Sequence, residues 1–270
     1  MKKISISFVF LFLFFVILNP YTFLGPISYY FMIPFFLYAI LKWYKFFDKK
    51  VIFIVFLMIF ISLIGVFSSY LHGIPQYEHL KVSVSLFIYL VVGFGLYFFS
   101  VNRGINFNQI IFIILISIIL NSIIILFEVS YPNFRIFIES FLVEAGNRDW
   151  SDGFRYRGMA ASGGASLSLL HAVGVALLLY LLGEKKISIL TSIVSLSLLF
   201  FSMFFIGRTG LIFALLAILI YVIFSKKNFL LFVFLVLSFV VSSLFYDKLV
   251  NYLIDTYGEG FYNYSLGFLS

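Results

Sequence analysis

The sequence predicts an all-α polytopic membrane protein with about nine transmembrane helices and one long external loop. Three observations carry that prediction: 63% of the 270 residues are apolar, 11% are charged, and the mean hydropathy is +1.15. A folded soluble surface cannot be covered from so few polar side chains, which excludes a soluble enzyme and a disordered chain. The net charge of +7 does not indicate nucleic acid, because the basic residues sit in short groups between apolar runs, where membrane topology accounts for them. With no Cys there is no disulfide framework, no thiol nucleophile and no Cys-ligated metal.

A hydrocarbon core of ~30 Å needs roughly 20 apolar residues per helix, fewer where the flanks snorkel or the bilayer thins. The stretches that qualify run near Ile4 to Leu18, Ile27 to Leu41, Val51 to Val66, Val82 to Phe99, Ile110 to Phe127, Gly164 to Leu182, Ile187 to Ile206, Gly207 to Phe224 and Phe229 to Phe245. The first opens with Lys2 and Lys3 but lacks a small-residue cleavage site, so it is expected to be a retained signal anchor. Pro34 lies inside the second and is expected to kink it. Residues 1–270 thus form a single integral membrane domain, with 128–163 as the external loop and 246–270 as the start of a second external segment.

A cytoplasmic amino terminus places ten of twelve Lys inside, at Lys2, Lys3, Lys42, Lys45, Lys49, Lys50, Lys185, Lys186, Lys226 and Lys227, as the positive-inside preference asks. Five of six Arg then fall outside: Arg135, Arg148, Arg155, Arg157 and Arg208. Topology is served by either cation, so an outward excess of Arg points to a use for the planar fork, which grips phosphate and carboxylate bidentately.

The external loop holds Arg135, Arg148, Arg155 and Arg157 with Glu139, Glu144, Asp149 and Asp152, and offers Trp150 and Tyr156 as ligand platforms. Apolar residues between Phe134 and Val143 predict a short helix in the membrane interface. An alternative reading lets the mixed charges of the loop, those of Arg135 and Arg148 first, pair with one another. The run Arg155-Tyr156-Arg157-Gly158-Met159-Ala160-Ala161-Ser162-Gly163-Gly164 leads straight into the sixth span. Gly158, Ser162 and Gly163 there would let backbone N–H groups meet an anion at a helix N-terminus. Against this, Ala160, Gly164 and Ser168 also read as a small-residue packing face. Gly207-Arg208-Thr209-Gly210 joins two spans with almost no loop, so Arg208 lies at or just inside the outer bilayer edge. A guanidinium at the bilayer centre costs at least ~2.5–3.5 kcal/mol, so Arg208 reads as functional, with snorkelling as the plainer alternative. His171, in mid-span, reads as a packing residue, and His72 and His79 lie in a short outer loop. The sequence contains no Asp-x-Asp, no His-x-x-x-His pair and no glycine-rich nucleotide loop, so no metal site and no cofactor is expected.

Arg155-Tyr156-Arg157-Gly158 before a small-residue helix start, followed by Gly207-Arg208-Thr209-Gly210 opening a later helix, resembles the bacterial O-antigen polymerase and ligase superfamily. The Phe-, Ile- and Tyr-rich composition is similar to its polymerase branch. The resemblance covers mainly Arg155 to Phe224. It implies a multispan cell inner-membrane glycosyltransferase with a periplasmic site, which moves a growing glycan from undecaprenyl pyrophosphate to a lipid-linked repeat unit. It further implies that Arg157 and Arg208 act on the pyrophosphate as catalytic residues. Arg155, Gly158, Ser162, Gly163, Gly210, Arg135, Arg148 and Trp150 are expected around the substrate, and a chain-length regulator protein is an expected partner. The alternatives are a ligase that attaches finished glycan to a lipid A core, and a flippase for the same lipid-linked oligosaccharide. Family members are usually longer, and Asp247, Lys248, Asp255 and Glu259 read as the beginning of their second periplasmic loop, so the chain is expected to be a shortened form. Asp149, Asp152, Asp255 and Glu259 are all open as the general base.

Overall fold

A computed structural model describes residues 2–42, 49–71, 78–142, 156–161, 164–224 and 255. They are mostly helical, and five helical stretches are long and apolar enough to cross a membrane: Ile52–Leu71, Val84–Asn102, Phe107–Ser130, Ala165–Gly183 and Ile189–Ile206. Shorter apolar helices cover Ile6–Leu18, Ile27–Leu41 and Thr209–Phe224. The helices are α1 (Lys2–Leu18), α2 (Ile27–Leu41), α3 (Lys49–Leu71), α4 (Glu78–Asn102), α5 (Phe107–Ser130), α6 (Pro132–Phe141), α7 (Ala165–Gly183), α8 (Ile189–Ile206) and α9 (Arg208–Phe224). Eight of the apolar runs read from the sequence are therefore helices, while the run from Phe229 and the segment 246–270 lie outside the described residues, Asp255 apart. A two-stranded antiparallel hairpin, β1 (Tyr21–Thr22) with β2 (Gly25–Pro26), turns the chain between α1 and α2, an element the all-α expectation lacks. Gly25 supplies its positive φ of 87°.

The chain divides into two compact units, Met1–Phe12 with Ser28–Phe107, and Leu13–Ile27 with Asn108–Ser270. In the first, Phe12 and Phe35 pack with ring centroids 4.1 Å apart, and Phe35 meets Phe99 edge to face at 5.4 Å. Gly95 of α4 lies against the Phe35 carbonyl so closely that a Cβ would collide with it. Helix α2 continues through Pro34. α3 packs against α4 and is otherwise covered with exposed Ile, Leu and Phe, a surface suited to lipid rather than water.

The second unit is built on α5, α7, α8 and α9, whose facing Leu, Ile, Val and Met side chains form one buried core around Ile118, Val175, Leu199, Met203 and Ala214. Polar residues inside it are tied locally: Ser117 Oγ donates to Ile113 O, and Ser202 Oγ meets Ser122 Oγ at 3.1 Å across α5 and α8. The α7–α8 turn closes where Ser188 Oγ caps α8 by accepting from Thr191 N–H at 3.1 Å. Such packing leaves α7 and α9 side by side with both N-terminal ends on one end of the unit, which positions the candidate site.

Candidate anion site at the starts of two helices

Segment 156–161 is drawn into the second unit instead of standing in solvent. Tyr156 N–H donates to Phe205 O at 3.2 Å, near the end of α8, and Ala161 N–H donates to Leu18 O at 3.0 Å, at the end of α1. Between these anchors the last turns of α5 hold the chain from below. Asn121 Nδ2 donates to Arg157 O at 3.3 Å, Asn121 Oδ1 accepts from Met159 N–H at 2.9 Å, and a Glu128 carboxylate oxygen accepts from Gly158 N–H at 3.1 Å. Asn121 is fully buried, and Glu128 is 3% exposed. Gly158 has φ +57°, and a Cβ there would collide with Asn121 Oδ1, so both backbone conformation and space demand glycine.

The sequence did not single out Asn121 or Glu128 as site residues. The available signal was their spacing: Ser117, Asn121 and Glu128 fall four and seven residues apart, on one face of an otherwise apolar span. Glu128 belongs to the last turns of α5, which extends to Ser130.

Arg157 is 6% exposed. A guanidinium so deeply placed is costly unless anions and acceptors face it. Arg135, by contrast, is engaged on the loop side. On α6 its Nε lies 2.8 Å from Glu139 Oε1, and its guanidinium stands over the Tyr156 ring at 4.7 Å. Burial alone would lower the pKa of Arg135, but the hydrogen bond and charge of Glu139 outweigh it and hold the pKa above its ordinary value. Burial raises the Tyr156 hydroxyl, and Arg135 partly offsets that. The helix expected between Phe134 and Val143 is present as α6, with Ile136, Phe137 and Phe141 exposed along it. The charge pairing weighed for Arg135 is the arrangement found.

Arg208 is the first residue of α9, and Gly207 just before it abuts Gly164, the N-cap residue of α7. Gly164 has φ +74°, a value glycine adopts freely. Backbone contacts link the two segments: Phe205 O holds Tyr156, the residue before Arg157, and Gly207, the residue before Arg208, touches Gly164. Gly210 is buried, its N–H donating to Ser168 Oγ at 2.6 Å, and a Cβ on it would collide with the Ser168 carbonyl. Gly210 and Ser168 thus serve the close approach of α9 to α7, the packing role weighed for Ser168 and its small neighbours. Arg148, Trp150, Arg155, Ser162 and Gly163 lie outside the described residues, as do Asp149 and Asp152.

His171 is buried in α7 with Nδ1 2.9 Å from Leu167 O. A cavity of about 290 Å³ in the first unit is lined by Tyr29, Met32, Ile33, Phe36, Ser85, Ile88, Tyr89 and Val92, and none of the candidate anion-binding residues lines it. Among the described residues no group of three or more His, Asp or Glu stands together as a metal site would require. The candidate centre consists of the buried Arg157 and of Arg208, the first residue of α9, with the Asn121 carboxamide and the Glu128 carboxyl group holding the backbone of 157–159. No family model, no curated protein and no solved structure matched this chain.

Proposed function

We propose that the chain is a membrane glycosyltransferase of the O-antigen polymerase type, which transfers a growing glycan from undecaprenyl pyrophosphate to a lipid-linked repeat unit. The observation that carries this reading is Arg157, buried, with its carbonyl held by Asn121 and its neighbour Gly158 held by Glu128, on a segment tied by backbone to the end of α8, just before the paired starts of α7 and α9. In the reaction an acceptor hydroxyl oxygen attacks the anomeric carbon, the bond from that carbon to the pyrophosphate oxygen breaks, and the hydroxyl proton passes to a base. Charge grows on the departing diphosphate. In this reading the guanidinium forks of Arg157 and Arg208 meet that charge, and the helix starts add the positive ends of their dipoles. The apolar surface of the helices is suited to keeping the polyprenyl chain in lipid while its headgroup is bound.

The same reading has nine spans, an amino terminus in the cytoplasm and the Arg-rich face in the periplasm, with the protein in a cell inner membrane. The grouping of ten of twelve Lys on the side of the amino terminus supports that orientation. The test is purified protein in lipid nanodiscs supplied with undecaprenyl-linked repeat units. Longer lipid-linked chains are the expected result. Transfer to a lipid A acceptor would make the protein a ligase, and movement of intact substrate across the bilayer without bond formation would make it a flippase.

A further inference from the structure

Helices α2 and α4 run parallel and meet over their later turns. Gly95 abuts the Phe35 carbonyl, Phe35 packs edge to face on Phe99, and Asn102 Nδ2 donates to Tyr38 Oη at 2.7 Å. Nearer their starts the cavity of about 290 Å³ lies between them, lined by α2 residues from Tyr29 to Phe36 and α4 residues from Ser85 to Val92. Met32 and Val92 are its buried floor, and Tyr29, Ile33, Ile88 and Tyr89 are exposed at its mouth. The cleft opens on apolar surface, where Tyr30, Leu37, Val84 and Leu86 are exposed too. Because α4 is long and apolar enough to cross a membrane, hydrocarbon is the solvent at that mouth, and the occupant is drawn from lipid.

The hydroxyl-bearing residues of the lining gather toward the helix starts. Tyr29 and Ser85 are the first lining residues of their helices, and Tyr89 follows Ser85 by one turn. Side chains on a helix lean toward its N-terminus, which carries both phenols toward the headgroup end of the cleft. Seven residues separate Tyr29 from Phe36 and Ser85 from Val92, or about 10 Å of helix, against ~15 Å for the hydrocarbon of one leaflet. An apolar slot of that depth with hydroxyl donors at its outer end matches one fatty acyl chain and its ester carbonyl, and the carbonyl is an acceptor that a polyprenyl chain lacks.

We propose that the α2–α4 cleft binds one acyl chain of a membrane glycerophospholipid, whose ester carbonyl accepts hydrogen bonds from Tyr29 and Tyr89. The chain fills the space that α2 and α4 leave open near their starts and gives Met32 and Val92 packing partners. This site is independent of any glycan transfer.

The test is native mass spectrometry of the full chain, stripped of lipid in maltoside detergent and then offered dioleoyl phosphatidylethanolamine. One retained phospholipid per chain is the expected result. The ether-linked analogue, which has the same chains but no ester carbonyl, should bind about three- to tenfold more weakly. The double variant Tyr29→Phe, Tyr89→Phe should bind both lipids alike, and Val92→Phe, which fills the floor, should lose the bound lipid. No retained lipid, undiminished retention by Val92→Phe, or equal binding of ester and ether lipids by the wild type overturns the proposal. Displacement of the phospholipid by an equal concentration of undecaprenyl phosphate overturns it in favour of a polyprenyl occupant, and a lipid-free dimer overturns it in favour of a second copy of the chain. A second measurement needs no variant. Phosphatidylethanolamine carrying a diazirine in mid-chain, illuminated with the wild type in nanodiscs, should label residues 29–36 and 85–92, and label spread evenly over the exposed surface of α3 overturns the proposal. Neither readout involves glycan assembly, so this inference and the enzyme reading stand or fall separately.

Discussion

The backbone N–H of Gly210 donates to Ser168 Oγ at 2.6 Å, joining the first turn of α9 to the first turn of α7. An α-helix leaves its first four N–H groups without intrahelical partners, and in α9 the third of these is buried and met by a side chain of the neighbouring helix. Ser168→Ala removes that acceptor and should cost roughly 1–3 kcal/mol, the range for a buried donor left unsatisfied. Gly210→Ala should cost more, because its Cβ runs into the Ser168 carbonyl and backbone must move to admit it. Thermal unfolding in detergent, followed by circular dichroism, should rank wild type above Ser168→Ala and Ser168→Ala above Gly210→Ala. Equal midpoints would mean that the two helices do not approach at this point.

Gly158 is held from two directions, by its φ of +57° and by Asn121. Placing an L-residue in that backbone region costs about 1–2 kcal/mol before any collision is counted. Gly158→Ala should therefore lift segment 156–161 from α5 and carry Arg157 away from its station, while the buried core of α5, α7, α8 and α9 stays folded. Asn121→Ala should act in the same direction, since it removes both hydrogen bonds that bracket Gly158. The expected outcome is unchanged helical content with protease cleavage newly permitted near residue 158, and a fall in pyrophosphate affinity measured by calorimetry. Retained protection and affinity in Gly158→Ala would remove the clasp from the account.

Arg157→Lys and Arg208→Lys keep a positive charge and lose the planar fork. A departing diphosphate offers paired oxygens, so a single ammonium is a poor substitute. Losing one donor of an oxyanion-type site costs ~2.7–4 kcal/mol, or about 10²–10³ in turnover. Each Lys variant should abolish or nearly abolish the glycan ladder seen on a gel with the reconstituted wild type. Full-length ladders from both variants would defeat the proposed roles of the two arginines.

Arg135 separates binding from structure. It was expected near the substrate, and it is found between Glu139 and the face of Tyr156. An i, i+4 ion pair contributes ~0.3–0.5 kcal/mol and a cation–π contact on a buried ring such as that of Tyr156 up to ~2 kcal/mol, so Arg135→Ala should lower stability by about 1–2 kcal/mol and leave polymer formation largely intact. A loss of polymer as deep as that of Arg157→Lys, with thermal stability preserved, would return Arg135 to the substrate.

What the sequence disclosed follows from the length over which each signal is summed. Runs such as Ile189–Ile206 and Phe107–Ser130 are legible because some twenty apolar side chains agree, and lipid leaves the backbone few choices but a helix. The side-by-side starts of α7 and α9 were legible in outline, since alternate helices of a bundle run the same way. The clasp was not. Asn121 and Glu128 are two polar residues in a run whose average conceals them, and their partners Arg157, Gly158 and Met159 stand 30 to 38 residues along the chain. Only tertiary folding tells a loop arginine such as Arg135, held by a neighbour on its own helix, from Arg157, drawn in between helices. The Tyr21–Pro26 hairpin escaped for the opposite reason, being too short for period-2 alternation to register.

Orientation is the premise shared by every prediction about the arginines, and the chain is well suited to testing it because it contains no Cys that would give background labelling. Ser140 is exposed on α6, which follows the end of α5 after a single residue, whereas Lys186 is exposed in the turn between α7 and α8. An odd number of crossings separates them if α7 spans the membrane. Cys introduced at Ser140 should react with an impermeant maleimide added to whole cells or spheroplasts, and Cys at Lys186 should react only after the membrane is opened. The positive charge of Lys185 and Lys186 favours retention on the cytoplasmic side, which is the pattern expected. The reverse pattern would put Arg157 and the starts of α7 and α9 in the cytoplasm, away from any lipid-linked glycan assembled in the periplasm. Labelling of both sites without opening the membrane would mean that α7 does not cross it, and the paired helix starts would then have no bilayer edge to stand at.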